Sequence, residues 1–429
     1  MGADTILGGS GADTINGGNG DSIDAGEGID SIIFAATTFS ATVDGGIGAD
    51  QITLNTTSAN TVTLNIPDTD GILITGGGVV DQITFSAPTL VTTTINGGLG
   101  TDTITLGNFT NALSVNDSTM SITGGTGNDA ITFLAATAAT DTVNSGLGTN
   151  DSIILGNFAN TLNVADSDGV LITGNALVDA ITFTTATIAT VDSGAGADTV
   201  TLSLAGANNN LTINDGTISV SGNTGIDTIK FTAAITVATV AGNTGADTLE
   251  LLSTAANTGL NINDGTISVT GGNLNDSMTF ITTALTAVTI NGGNGSDTIT
   301  AVPAAANIAT FQDVETITAS AGITASAYTI TGTSATTISI GTTAQTVTNM
   351  SSATTTVTAA ATTTILTTGA ATGNYAITGG IALATINATG SLGTLNITSA
   401  DATGNALAIT AGSGNITVAG VGTTDTITV

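Results

Sequence analysis

The chain has 429 residues, 41% of them hydrophobic, and sets 32 acidic residues against a single basic one, Lys230, for a net charge of −31. Such acidity excludes nucleic acid as a partner, and the apolar fraction excludes a disordered acidic tail. Without Cys or His there is no disulfide scaffold, thiol nucleophile, histidine-based triad or histidine metal site. Thr, Gly or Asn interrupts every apolar run before about 18 residues, so no membrane insertion is expected.

The chain opens on a repeated phrase. Gly8–Asn16 reads GGSGADTIN, preceded by a partial copy, Gly2–Leu7 (GADTIL), and followed by Gly17–Asp24 (GGNGDSID) and Ala25–Ile33 (AGEGIDSII). The glycines permit turn conformations closed to other residues and leave carbonyl oxygens free to face an ion. Asp13 adds a carboxylate, and Ile15 turns inward to begin a strand. Oxygen-only donors suit Ca²⁺, which takes six to eight of them.

This tandem resembles the calcium-binding nonapeptide of the RTX proteins, which form parallel β-rolls. The resemblance implies Ca²⁺ ligands at Gly2 and Asp4, at Gly9, Gly11 and Asp13, at Gly18, Gly20 and Asp21, and at Gly26, Gly28 and Asp30. It covers residues 1–33, and a spaced form continues to about residue 300. There it implies ligands at Gly46, Gly48 and Asp50; at Gly98, Gly100 and Asp102; at Gly125, Gly127 and Asp129; and at Gly293, Gly295 and Asp297. Shorter glycine sets precede Asp198 (Gly196), Asp227 (Gly225) and Asp247 (Gly245). Asp81, Asp151, Asp179 and Asp276 complete the set, although GGGVVD, SGLGTND and GNALVD depart from the motif, so the ion could be lost there while the turn persists. With coils stacked about 4.8 Å apart, a turn carbonyl of one and an Asp of the next would share an ion, coupling calcium to folding.

Twelve Asp residues from Asp30 to Asp297 follow these turns at alternating short and long steps, so the repeating unit is a pair of turns every 47 to 52 residues. Four places after the first member stands Phe34, Phe85, Phe133, Phe183, Phe231 or Phe280; after the second stands Leu54, Leu106, Leu155, Leu202, Leu251 or Ala301. Side chains alternate faces along a strand, so these positions and the aliphatic two places after Asp point inward together. The expectation is a parallel coil with Phe stacked near Phe or layered with Leu, not an aromatic cofactor box. The short step holds two strands, and the long step is read as adding another strand pair. Its phrases LSVNDSTMSI (Leu113–Ile122) and LNINDGTISV (Leu260–Val269) suggest either a hairpin or a corner.

Near residue 300 the composition changes. Ala309–Thr318 (ATFQDVETIT) resembles linkers beside RTX repeats in bacterial surface-layer proteins. Beyond Ile317 only Asp401 and Asp425 are acidic, and short strands are expected around Ile330, Ile338, Val347, Val357, Ile365, Ile377, Ile386, Ile397, Ile409 and Ile416. Small side chains suit a thin β-helix without metal; an open sandwich is the alternative.

The expected fold is all-β, a parallel β-roll or β-helix solenoid in three segments: 1–33, 34–300 and 301–429. No catalytic set stands out, and Lys230 faces outward. The expected function is an exported structural protein that folds with calcium and assembles head-to-tail with itself into a surface layer, sheath or filament. Both ends of the chain read as open coils. Cell-surface polysaccharide is a further candidate partner. The alternatives are an adhesin or ice-binding module, with Thr61–Thr63, Thr103–Thr105 and Thr298–Thr300 as a threonine ladder, or a segment of a larger exoprotein. The resemblance implies export by a one-step route that reads the C-terminus, and Asp425–Val429 resembles such an ending, though a last strand reads equally well.

Overall fold

The structure, a computed structural model, describes residues 2–67, 71–89, 93–282, 284–301, 308–319, 326–340, 345–359, 364–368, 374–379, 383–387, 393–399, 406–410, 413–419 and 426–428. Asp425 and Val429, which frame the expected export ending, lie outside the described residues, as do Asp401 and residues 68–70 of the first corner.

Among the described residues there is no helix, and the 44 strands run from β1 (Thr5–Ser10) to β44 (Thr426–Thr428) in chain order. The chain divides into two compact units, Met1–Ser219 and Val220–Val429. Within the first, strands pair in parallel with the strand two places on, odd with odd and even with even, as in Asn111↔Asp129 through Val115↔Phe133 and Asn160↔Asp179 through Val164↔Phe183. The second unit is built the same way, as in Thr228↔Thr248 through Phe231↔Leu251 and Thr355↔Tyr375 through Ala359↔Gly379. Each unit is therefore a parallel β-solenoid with two strands per coil. Parallel neighbours cannot be joined by a tight turn, so the chain must cross to the opposite sheet and return. That settles the Asn-Asp-Gly phrase as a corner: β12 (Asn111–Val115) and β13 (Met120–Thr123), on either side of Asp117, lie in opposite sheets.

The alternation expected from the sequence is present. Over Asp129–Phe133 the side chains run buried, intermediate, buried, intermediate, buried, and Ile131 and Phe133 are fully enclosed. The Phe rings lie in layers with aliphatic side chains. Phe183 faces Val164 on one side and Leu202 on the other, Phe231 faces Leu251, and Phe280 faces Ile262 and Ala301. The one stacked ring pair, among the described residues, is Phe34 with Phe39, centroids 4.1 Å apart.

The long step differs from expectation. From Asp102, which opens β11 (Asp102–Thr105), the chain runs through β12 and β13 to Asp129, which opens β14 (Asp129–Phe133). The long step thus holds three strands, β11 to β13, not four. One repeat is therefore five strands, or two and a half coils. The odd number throws successive Asp pairs onto opposite sheets. In the first unit Asp30 and Asp50 serve the even sheet, Asp81 and Asp102 the odd, Asp129 and Asp151 the even, and Asp179 and Asp198 the odd. All ten apolar centres expected beyond residue 320 fall within strands.

Candidate metal centre

The turns set the geometry. Gly98 lies at φ +98° and Gly146 at φ +110°, and a Cβ on either would strike the carbonyl of Gly77 or Gly125 in the adjacent coil. These glycines thus allow turns to stack in close register. Their carbonyls are used in stacking: Leu99 N–H donates to Gly77 O at 3.0 Å, and Leu147 N–H to Gly125 O at 2.8 Å.

The Asp of each turn is drawn inward to the edge of the stack. All twelve from Asp30 to Asp297 are buried. Eleven of them, Asp227 aside, accept at Oδ1 from a backbone N–H of the preceding coil, a bond that keeps a buried carboxylate from standing unpaired. Asp30 accepts from Asp13 N–H and Asp50 from Asp30 N–H, both at 2.7 Å. Asp102, Asp151 and Asp198 accept from Asp81, Asp129 and Asp179, again at 2.7 Å, and in the second unit Asp247 and Asp297 accept from Asp227 and Asp276 at 2.8 Å. An Asn opens four of the runs. Asn111 Nδ2 donates to Asp129 Oδ1 at 2.7 Å while its own Oδ1 accepts from Thr89 N–H at 3.1 Å; Asn60, Asn160 and Asn257 make the same amide bond to Asp81, Asp179 and Asp276.

The two members of a pair then part. In the first members after Asp30, Oδ2 is also satisfied, by turn N–H groups: Gly77 to Asp81 at 2.8 Å, Gly125 to Asp129 at 3.1 Å, Asn175 to Asp179 at 3.2 Å, Asn223 to Asp227 at 3.0 Å and Gly272 to Asp276 at 2.9 Å. In the second member, Oδ2 of Asp102, Asp151, Asp198, Asp247 and Asp297 is buried and has no hydrogen-bond partner.

Near four of these carboxylates, those of Asp102, Asp151, Asp198 and Asp247, lies the corner Asp of the next coil. Asp117, Asp166, Asp215 and Asp264 are buried, 94% or more, fifteen or seventeen residues after their partners. Each corner Asp uses Oδ1 to fold its own turn, as Thr119 N–H, Thr217 N–H and Thr266 N–H donate to Asp117, Asp215 and Asp264 at 3.0, 2.8 and 2.7 Å. In the third repeat Asp168 joins, half-buried, with its Oδ1 unpartnered. Carboxylate oxygens of Asp151, Asp166 and Asp168 lie within 4.8 Å of one another. A shallow cavity beside them is lined by Asn150, Asp168 and Gly169.

Charge accumulates here. Burial pushes the Asp102 and Asp151 carboxyls up to about 6, with the charge of Asp117 or Asp166 adding to it. Burial, then the neighbouring Asp264, takes Asp247 up to about 7, and Asp297, near Asp276 and Glu315, also reaches about 7. Two buried carboxylates side by side require a proton or a cation between them.

Of the ligands expected from sequence, Asp21 and Asp30 are buried in the stack, Asp13, Gly18, Gly26, Gly28, Gly46 and Gly48 are half-buried, and Gly2, Asp4, Gly9, Gly11 and Gly20 are exposed. Gly98 and Gly100 are exposed too, whereas Gly125 and Gly225 are buried. The corner residues Asp117, Asp166, Asp168, Asp215 and Asp264 were not among the expected ligands. Their signal was the Asp in each long-step phrase, legible only once the corner is known to stack on the second-member turn. Lys230 Nζ lies 3.4 Å from Glu250 Oε2, the residue beside it in register. No protein-family model, curated protein or solved structure matches this chain.

Proposed function

We propose that this chain is a structural, calcium-binding β-solenoid of the cell exterior, and not an enzyme. The observation that carries the reading is Asp151, 1% exposed, whose Oδ2 has no protein partner and lies with the carboxylates of Asp166 and Asp168. Three carboxylates and no nitrogen or sulfur donor favour a hard cation with flexible coordination, and calcium fits that description better than magnesium, which demands near-ideal octahedral geometry. The cell exterior is proposed because the chain has no Cys and because millimolar calcium there suits weak oxygen-only sites, which work at roughly 0.1–1 mM. The repeated hydrogen-bonded coils suit length and stiffness rather than turnover, since each coil contacts only its neighbours. Head-to-tail self-assembly into a layer or filament belongs to the same reading and draws on the same strand-edge pairing that joins coil to coil.

Equilibrium dialysis of the full chain against calcium tests it, alongside the Asp166→Asn/Asp168→Asn double variant. The wild type should take up calcium and the variant at least one ion fewer, with unchanged circular dichroism in saturating calcium. Negative-stain microscopy before and after chelator tests assembly. A wild-type chain that takes up no divalent cation overturns the reading.

A further inference from the structure

The second-member and corner carboxylates meet in four described repeats, but the residue between them differs. It is Ser145 in one and Ser193 in another, and Gly97 and Gly242 in the other two. The serines have a definite task. Ser145 Oγ donates to Asp166 Oδ2 at 2.5 Å, and Ser193 Oγ to Asp215 Oδ2 at 2.6 Å. Each hydroxyl supplies one proton donor where two anions would otherwise meet.

Gly242 supplies none. A Cβ placed there would run into Oδ2 of both Asp247 and Asp264, so both oxygens aim at the space a side chain would fill. Asp247 is 1% exposed and Asp264 is 2% exposed, and in both the Oδ2 is buried without a hydrogen-bond partner. The Gly97 repeat is a partial case, because Asp117 Oδ2 there accepts from Gly98 N–H at 2.7 Å. Only at Gly242, among these four repeats, are both carboxylates left unsatisfied.

We propose that Asp247 and Asp264 form a second cation site, in the gap left by Gly242, with no third carboxylate such as Asp168 needed because no serine hydroxyl occupies the space between them. The ligand class is a divalent oxygen-seeking cation, which two carboxylates neutralise. The geometry is independent of the Asp151 cluster, although the choice of calcium as probe rests on the reading given above. A lone proton shared by the two acids is the competing occupant.

The test uses the full chain, with calcium and magnesium as separate probes, by equilibrium dialysis at pH 7.5. Gly242→Ser should bind one calcium fewer than wild type and remain folded, because the flexible carboxylate ends can yield to a side chain as they do beside Ser145 and Ser193. Asp264→Asn should also lose one ion. Ser193→Gly, the reverse exchange, should raise uptake by one. If wild type binds calcium but Gly242→Ser and Asp264→Asn both bind the same number, the gap holds a proton and the proposal fails while the Asp151 site stands. If wild type binds none, both readings fall together.

Discussion

Two stretches of the second unit wind alike but close their edges with different chemistry. At Asp276 and Asp297 the residue at the strand entrance is a buried acid, and Asp276 N–H donates to Asp297 Oδ1 at 2.8 Å. Further along, the buried residues at strand entrances are Thr336 and Thr355, which face each other in register. There the coils are tied by Thr336 N–H to Thr354 O at 3.0 Å and Thr355 N–H to Asn374 O at 2.9 Å, while Thr394 N–H reaches Asn374 Oδ1 at 2.9 Å. The winding is therefore indifferent to charge. It follows from buried aliphatics such as Ile299, Ile317, Ile338 and Val357, whose removal from water drives packing. The acids add something winding does not need, a row of buried carboxyls that burial and neighbouring acids hold above the usual carboxylate range.

The largest expected effect breaks the two stretches apart. In chelator, coils carrying Asp102 and Asp297 should lose amide-exchange protection as pH rises, whereas coils at 326–340 and 345–359 should not. The sign follows from linkage. Burial and neighbouring acids raise the Asp297 carboxyl from 3.8 to about 7, so the ion-free fold binds more protons than the unfolded chain across that window. Its stabilisation is complete at low pH and drains away as pH climbs towards about 7, and Asp102 acts likewise up to about 6. Calcium at pH 7.5 should restore protection to the acidic coils alone. Uniform exchange in both stretches, after correction for intrinsic rates, would count against this division.

A smaller effect sharpens the claim that apolar layers and not acids hold the winding. Phe183, fully buried between Val164 and Leu202, should cost about 3–5 kcal/mol when replaced by Ala. Denaturant unfolding should show the same loss with and without calcium; a loss seen only in chelator would mean the acids share the load. The smallest effect concerns the ion pair. Lys230 and Glu250 are about 30% exposed, so Lys230→Ala should change stability by no more than about 1 kcal/mol, measurable as a shift in melting temperature that vanishes in high salt.

The twofold alternation of Ile131 and Phe133, the recurring Asp at the strand entrances from Asp30 to Asp297 and the ten later strands are all legible in the residue string, because each depends on a short-range pattern: period two or a glycine turn. Two things are not. The strand count of the long step is not legible, because LSVNDSTMSI suits a hairpin and a corner equally and nothing local distinguishes them. The acidic cluster is half legible: the turn motif marks Asp151, but nothing local marks Asp166 and Asp168 as its neighbours, since they meet it only when separate coils stack.

Local chemistry thus dictated a parallel stack of short strands with carboxylates at its edge, since side-chain alternation and glycine turns act within a few residues. Which carboxylates face one another, which oxygens lack donors, and that five strands make a repeat were decided by winding. Those relations join residues fifteen or more apart along the chain, and they exist only after one coil has been laid on the next, at a spacing set by backbone hydrogen bonds rather than by any side chain.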